Sequence, residues 1–510
     1  MTRGFKKLYQ RPAMQRDALK RIRAATRPAA AAILVVLTLS GCQVLQSAGG
    51  DATLRPSGSP VTVDTLTRND RLASIAREQH PRILATYGGE YSNPGVERMV
   101  ARVVGGLTLD PDNPNQTYQI TILNSPNINA FALPGGYLYV TRGLLALAND
   151  SAELAAVLAH EMAHVTANHG IQRQQREAEE QLASQVVSDV LGGTAPGRLA
   201  LIRGQLRLAQ FSRNQELEAD AIGIRAIGRA GYDPYAAVRF LQSMAAYGEL
   251  RSANANTDQR LDFLATHPNP PQRIELARGH ARQFGPPGTG TRDRDTFLSG
   301  IDGMLYGDTP EEGFVRGRFF MHPVLGVAFA VPEGFIIDNT AAAVTASGPG
   351  DVAVRFDGVT LNPGVTLADY LRSGWVAGLD AGSIRSTTVN GNEAVRARAR
   401  AEGWQFDVTV IRAGGQVYRL LTAAPVASDR LEPVANAVTG SFRALSEQEK
   451  QSLRPLRVRV VTVQPGENVA TLAGRMSGVE QPQQLFRVIN GLGPGETPSA
   501  GTRVKIVTDR

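Results

Sequence analysis

Between Ser151 and Gly170, apolar side chains return every three or four positions, and Leu154, Val157, Leu158 and Val165 fall on one side of a helical wheel. Asp150 precedes the run and Glu153 follows three residues later, the spacing of a capping box. The pattern predicts a helix over about 150–169, and similar periodicity predicts helices at about 171–191, 197–229 and 234–247. Alternation in Thr117–Leu123 and Ala130–Val140, punctuated by Gly135-Gly136, predicts strands near a turn. Residues 61–280 therefore read as a mainly helical domain with a small sheet. The Gly/Pro-rich stretch Phe284–Asp295, with Pro286-Pro287-Gly288, reads as a linker, placed at 281–309.

Further on, the period shortens. Val327–Val331, Val352–Phe356, Glu393–Ala399, Phe406–Ile411 and Val417–Leu421 have the character of strands, with turns at Asn390-Gly391 and Gly414-Gly415. Helical stretches near Thr366–Ala377 and Ala427–Gly440 make 310–446 an α+β module. Residues 456–510 read as strand, helix, helix, strand. The expected fold class is thus α+β and multidomain, in agreement with a length of 510 residues, which suggests about three domains. No period of 20–50 residues marks a solenoid.

Composition matters mainly at the N-terminus. Residues 1–42 carry nine Lys/Arg and one Asp, which exceeds the net charge of +7 for the whole chain. The remainder is close to neutral, so a nucleic-acid partner is not expected. The basic stretch leads into the apolar run Ala29–Leu39, too short to span a bilayer but suited to a signal sequence. Leu39-Ser40-Gly41-Cys42 then resembles the lipobox of bacterial lipoproteins, which implies cleavage before Cys42 and a lipid on its thiol. Residues 1–42 are thus expected to be a lipoprotein signal peptide, and 43–60 a flexible tether. Cys42 is the sole cysteine, so intrachain disulfides are excluded. Gln43, where Asp would favour the inner membrane, points to the outer membrane facing the periplasm.

The candidate chemistry lies on the first helix. His160 and His164 are four residues apart, about 40° around a helix axis, so both imidazoles can meet one ion. Glu161 is rotated off the pair, within reach of a water on that ion. Two imidazoles and one carboxylate leave zinc an open position for water, and Glu161 is the expected general base. With seven His in the chain, chance supplies such a motif on the order of 0.01 times per chain. Ala167 and Gly170 stand where a metzincin needs Gly and His, so that class is excluded. His169 is expected to point away from the pair. A third ligand is available on a later helix: Glu216 and Asp220 share a face, so Glu216 can ligate while Asp220 orients a histidine. Glu218 should face elsewhere.

Together these residues resemble the zinc peptidase family of the CaaX prenyl endopeptidase, HtpX-like heat-shock proteases and the soluble beta-barrel assembly-enhancing protease. The likeness covers about 65–280 and is carried by Asn129–Gly136, the His160–His164 motif and Glu216 through Asp220. It implies a gluzincin fold with one Zn²⁺ per chain on His160, His164 and Glu216. It also implies that Asn129, Ala130 and Phe131 begin an edge strand on which a substrate peptide adds. Thr266-His267-Pro268, followed by Arg273, matches a further histidine element, where His267 steadies an oxyanion or plugs the open zinc position. The membrane helices and tetratricopeptide repeats of some members have no counterpart in this sequence.

Two weaker likenesses follow. Phe329–Phe335 and Gly440–Arg443 make 310–446 similar to PsbP/Mog1-like modules, with a docking role implied. Val463–Leu472, Leu485–Leu492 and Gly501–Ile506 make 456–510 similar to a LysM module, implying contact with peptidoglycan. The resulting expectation is a lipid-anchored periplasmic zinc endopeptidase acting on unfolded or misassembled envelope proteins. Its rivals are a peptidoglycan-associated scaffold or chaperone with a latent metal site, and a cell-wall hydrolase.

Overall fold

The helix that carries the histidines is buried on every side as far as Ala163, and neighbouring elements are arranged around it. In a computed structural model, residues 70–108, 117–191, 195–253, 267, 271–341, 343–401 and 403–509 are described, all within one unit, Leu54–Arg510. Cys42, the signal segment and the tether lie outside the described residues. The first helices are α1 (Asp70–Thr86) and α2 (Pro94–Leu107). The Asn93 side chain caps α2 by accepting from the N–H groups of Gly95 and Val96, and Pro94 occupies a position that needs no N–H. Strands β1 (Gln119–Leu123), β2 (Ala130–Leu133) and β3 (Tyr137–Thr141) form a sheet in the order β1-β3-β2. The expected second strand is split by the Gly135-Gly136 turn, where both glycines have positive φ, and β2 is left at an edge.

Next come α3 (Arg142–Leu147) and α4 (Ser151–Thr166). Asp150 caps α4 through the Glu153 N–H, and every residue from Ser151 to Ala163 is buried. A helix buried all round needs neighbours on all sides. They are α5 (His169–Leu191), α6 (Ala195–Arg229), α7 (Ala236–Ala253), α2 and the sheet; α8 (Pro271–Ala281) packs on α6 and α7. The helices expected from periodicity thus form, with ends shifted by a few residues.

The linker expected at 281–309 is not one. It contains α9 (Arg294–Ile301), whose Phe297, Leu298 and Ile301 are fully buried against α2. Burial of such side chains stabilises by roughly 1.5–3 kcal/mol each. The glycines that suggested flexibility build turns instead: Gly285, Gly288 and Gly290 have positive φ. Those turns bring Thr291 back to the α6–α7 corner, where its N–H donates to Gly231 O and its C=O accepts from Asp233 N. Turn chemistry and linker chemistry share a composition, and the pattern alone did not separate them.

After β4 (Leu305–Tyr306) the chain forms two antiparallel sheets. One holds β5 (Phe314–Arg316), β6 (Phe319–His322), β7 (Val327–Ala330) and β15 (Arg443–Ala444), in the order β15-β7-β6-β5. The other has seven strands in the order β11-β12-β13-β14-β10-β9-β8: β8 (Ile336–Asn339), β9 (Val344–Gly348), β10 (Val352–Val359), β11 (Leu379–Val389), β12 (Asn392–Ala401), β13 (Trp404–Ala413) and β14 (Gln416–Pro425). Helix Leu431–Ser441 covers one face of the long sheet and Leu367–Arg372 the other. The last unit is strand β16 (Leu456–Thr462), helices Val469–Ala473 and Pro482–Ile489, and strand β17 (Arg503–Thr508), the element order expected. It does not stand apart, because β16 also pairs with β4 and the order is β17-β16-β4.

Lys505 shows how firmly this unit is seated. Its side chain is fully buried, and Nζ donates to the carbonyls of Ala146 (2.8 Å), Leu147 (3.2 Å) and Ala148 (2.5 Å). The last carbonyls of a helix lack internal partners and favour a cation, so Lys505 closes α3 from outside. Burial pulls its pKa well below the usual range, with Glu153 and Asp150 opposing. Three acceptors need three N–H bonds, so the geometry fits the ammonium form. Lys505→Met should therefore strand the three carbonyls and destabilise the chain by about 2–4 kcal/mol. This would be read as a lower urea midpoint, and an unchanged midpoint would mean that water replaces the ammonium without loss.

Candidate active site

One turn of α4 separates His160 from His164, and their Nε2 atoms lie 3.0 Å apart. From α6, Glu216 approaches the same point, with Oε2 3.4 Å from His160 Nε2 and Oε1 3.4 Å from His164 Nε2. His267 completes the cluster, its Nδ1 3.0 Å from Glu216 Oε2 and 3.4 Å from His160 Nε2. The ligand atoms of these four residues all lie within 4.8 Å of one another. Donors about 2.0–2.1 Å from a tetrahedral zinc are about 3.3 Å apart, so the spacing suits that ion. Glu216 Oε1 and Glu161 Oε1 are buried and have no hydrogen-bond partner, which also fits a cation and its water. The donor set, two or three imidazoles with a carboxylate, suits zinc.

Each histidine of the pair on α4 is held from behind. His160 Nδ1 is 2.9 Å from Asp220 Oδ1, and Asp220 is gripped by Arg273, whose Nε and Nη2 donate to its two oxygens at 2.8 Å each. Arg273 Nη1 also lies 3.1 Å from Glu216 Oε2 and donates to His267 O. A single buried guanidinium thus ties together Glu216, Asp220 and the backbone of His267. The sequence contained Arg273 beside the His267 element, but no local pattern disclosed this clamp.

His169 differs from the expectation that it points away. Its Nδ1 lies 2.9 Å from His164 Nδ1, while its Nε2 lies 3.5 Å from Glu218 Oε2. The reason is a break in the helix: α4 ends at Thr166, Asn168 takes a left-handed φ of 58°, and α5 restarts at His169. An angle extrapolated along one continuous helix therefore fails. If His164 Nε2 faces the metal, its Nδ1 carries the proton and donates to His169 Nδ1, leaving the His169 Nε2–H towards Glu218. Glu218 thus lies outside the four-residue cluster and reaches His164 only through His169.

The electrostatics follow from burial and pairing. Burial and the neighbouring His160 hold His164 well below its ordinary pKa, the neutral form a ligand needs. Burial lowers His169 to about 4. Burial raises Glu161, which suits a proton acceptor. Burial would raise Asp220, yet Arg273 and His160 outweigh it and hold the carboxyl at about 2. Burial opposes a charge on His160 too, but Asp220 and Glu216 outweigh it and raise the imidazole to about 10. A cation held between Glu216 and the imidazoles would meet the same demand for positive charge.

The approach of α6 to α4 depends on Gly223. A Cβ there would meet the backbone N of His160 at 3.1 Å, so any side chain at this position would have to push the two helices slightly apart. On the other side of α4 lies β2. The Asn129 side chain is buried, with Nδ2 donating to the Tyr87 hydroxyl at 2.9 Å, and Ala130 is fully buried in the core. Phe131 is half-buried and stacks on Tyr139, ring centroids 4.8 Å apart. Asn129 and Ala130 therefore shape the strand from within, and what β2 can offer a substrate is its backbone and Phe131.

Residues 91–281 match the model of peptidase family M48. This stretch is a peptidase M48 domain. The chain is 30% identical over 240 residues to the beta-barrel assembly-enhancing protease of Yersinia pestis, covering 45% of this chain and 46% of that protein. The protein of the same name in Escherichia coli is 32% identical over 178 residues, covering 33% of this chain and 35% of the relative. The mitochondrial metalloendopeptidase OMA1 of Schizosaccharomyces pombe is 32% identical over 211 residues, 39% of this chain and 58% of the relative. The chain therefore matches less than two thirds of each of these relatives. The M48 model ends at residue 281, before α9, although α9 belongs to the same core.

Two measurements follow from this geometry. With His160 raised to about 10, zinc uptake at pH 7 should displace a proton and weaken as pH falls; calorimetry in buffers of different ionisation enthalpy would show the release. Asp220→Asn leaves the ligands in place but loosens His160, so zinc affinity should fall about 10- to 100-fold in a chelator competition.

Proposed function

We propose that this chain is a zinc-dependent endopeptidase of the cell envelope, with His160, His164 and Glu216 as metal ligands and Glu161 as general base. The observation that carries the reading is the convergence of four ligand atoms beside a buried carboxylate whose proton affinity is raised. Zinc bound there would supply a Lewis acid able to acidify water and polarise a peptide carbonyl. Glu161 takes the proton from water and passes it to the leaving amine. Asp220 and Arg273 fix His160, while His169 and Glu218 fix His164, so the ligands need no rearrangement during turnover. The substrate enters as an extended strand along β2, which has a partner on one side only among the described residues.

His267 is read as the plug of the two roles open to it, because its Nδ1 lies at ligand distance from Glu216 and His160. Its Nε2 lies 3.7 Å from Glu161 Oε1, so displacing the His267 side chain would free the base and the fourth position together. Relatives named beta-barrel assembly-enhancing protease support misassembled envelope proteins as the substrate class. The Cys42 lipid anchor, the outer-membrane location and a peptidoglycan contact through 456–510 complete the proposal. A peptidoglycan-associated scaffold with a latent metal site is the second reading, favoured by the inward position of His267.

Incubating the zinc-loaded chain with an unfolded protein tests the first reading. Glu161→Gln should keep its metal and lose about 10²- to 10⁴-fold in cleavage rate. His267→Ala should cleave faster than the parent chain if His267 is a plug. If neither the parent chain nor His267→Ala cleaves while both hold zinc, the scaffold reading replaces the peptidase.

A further inference from the structure

The face of the small sheet opposite the main core carries a row of rings that the metal chemistry does not use. Side chains alternate along a strand, so Ala130 and Ala132 turn to the core they share with Leu138 and Val140, while Phe131 points the other way with Tyr137 and Tyr139. Phe131 stands directly across from Tyr139 in the β2–β3 ladder, with ring centroids 4.8 Å apart and planes inclined by 22°. Tyr137 lies 6.5 Å from Tyr139, and Tyr87, just after α1, closes on Phe131 at 5.6 Å. These are separations at which rings attract.

Two of the rings are held at their polar ends. The Tyr139 hydroxyl lies 2.8 Å from His80 Nδ1, and the Tyr87 hydroxyl accepts from Asn129 Nδ2 at 2.9 Å. Tyr139 is fully buried, but Phe131 and Tyr87 are only half-buried, and neither belongs to any of the hydrophobic cores among the described residues. The row therefore ends in two partly uncovered rings, at the edge where the sheet stops. The register of that edge decides what can meet them. Thr141 N donates to Asn129 O, which makes residues 129 and 141 a hydrogen-bonded pair. Such pairs recur at every second residue, so Phe131 also turns its backbone to β3, and the N–H and C=O of Ala132 turn outward. Among the described residues nothing bonds those outward groups. An antiparallel strand added there would oppose Phe131 with a residue in the non-hydrogen-bonded position, where Cα atoms approach to about 4.5 Å and side chains pack closest.

We propose that Phe131 and Tyr87 form a specificity site that takes an aromatic side chain from that opposing position of a strand bound along β2. The occupant follows from the rings. A space beside two fixed rings is filled best by a third, and cross-strand aromatic pairs add stacking to burial. An aliphatic side chain gains the burial alone. That the bound strand is a substrate rests on the peptidase reading, whereas the ring contact does not.

The test keeps the two apart. Fluorescein-labelled decapeptides of threonine and serine carry one central Phe, Leu, Arg or Ala, and their binding to the full chain with Glu161→Gln is followed by anisotropy. The Phe peptide should bind about tenfold more tightly than the Ala peptide, with Leu between them. In the Phe complex the Ala132 amide should exchange about tenfold more slowly than in the free chain. In cleavage by the zinc-loaded parent chain, the same preference should lie in KM rather than kcat. Phe131→Leu should bring the Phe-to-Ala binding ratio down to about twofold, and Phe131→Tyr should restore it. Should Phe131→Leu fail to fold, Tyr87→Leu, which lies outside the strand, should lower the ratio to about threefold. No binding, equal binding of Phe and Ala peptides, or a ratio unmoved by the leucine variants overturns the proposal. A tighter Arg peptide also overturns it, in favour of a cation over the rings. Cleavage with equal kcat/KM for the Phe and Ala peptides would sink the ring site and keep the peptidase. Ring-dependent binding with no cleavage by the zinc-loaded parent or His267→Ala chain would keep the ring site and sink the peptidase reading.

Discussion

A buried charge must find its partner inside the protein, and α4 makes this the governing constraint of the molecule. The helix carries Glu153, His160, Glu161 and His164 through a core built of aliphatic and aromatic side chains. Water cannot pay for these groups, so neighbouring elements must. Arg239 meets Glu153, Asp150 and Asp233 at the start of the helix. Asp220 and Glu216 meet His160 further along, and Arg273 in turn meets both of those carboxylates. The positions of α6, α7 and α8 can be read as answers to that demand. A site built this way is rigid before any substrate arrives, because moving one member leaves another without its counter-charge.

Much of this was legible in the chain of letters. The spacing of His160 and His164 needs only the pitch of a helix, and the shared face of Glu216 and Asp220 follows from the same number. Helix positions were legible because their apolar stripes are long. What was not legible depends on the backbone changing direction. His169 reaches His164 only because Asn168 adopts a left-handed conformation, which the letter Asn permits but does not demand. Arg273 grips Asp220 across 53 positions of sequence, and no local period reports such a pairing. The stretch after Phe284 misled for a related reason: glycine and proline make tight turns and loose tethers alike, and what decides is whether α9 finds a seat.

The second half of the chain shows how sheet edges are handled. β4 is stopped by an arginine reaching across from α3, and β5 by the side chains of Asp308 and Arg316. Such local blocking is common where an edge would otherwise collect a stray strand. β8 is closed in the same way, since the Asp308 carboxylate that accepts from Val315 N also accepts from Asn339 Nδ2.

Lys505 and Phe297 together bear on how such a protein can change over generations. Domains are often exchanged as cassettes when few contacts cross their boundaries. Here the ammonium of the last strand finishes a helix in the first domain, and a helix beyond the family boundary fills that domain's core. A recombination joint placed at residue 281 would deliver a peptidase with an open apolar socket and three orphaned carbonyls. In this chain the terminal units and the helical domain therefore share one core, and a change on one side of their joint has to be matched on the other.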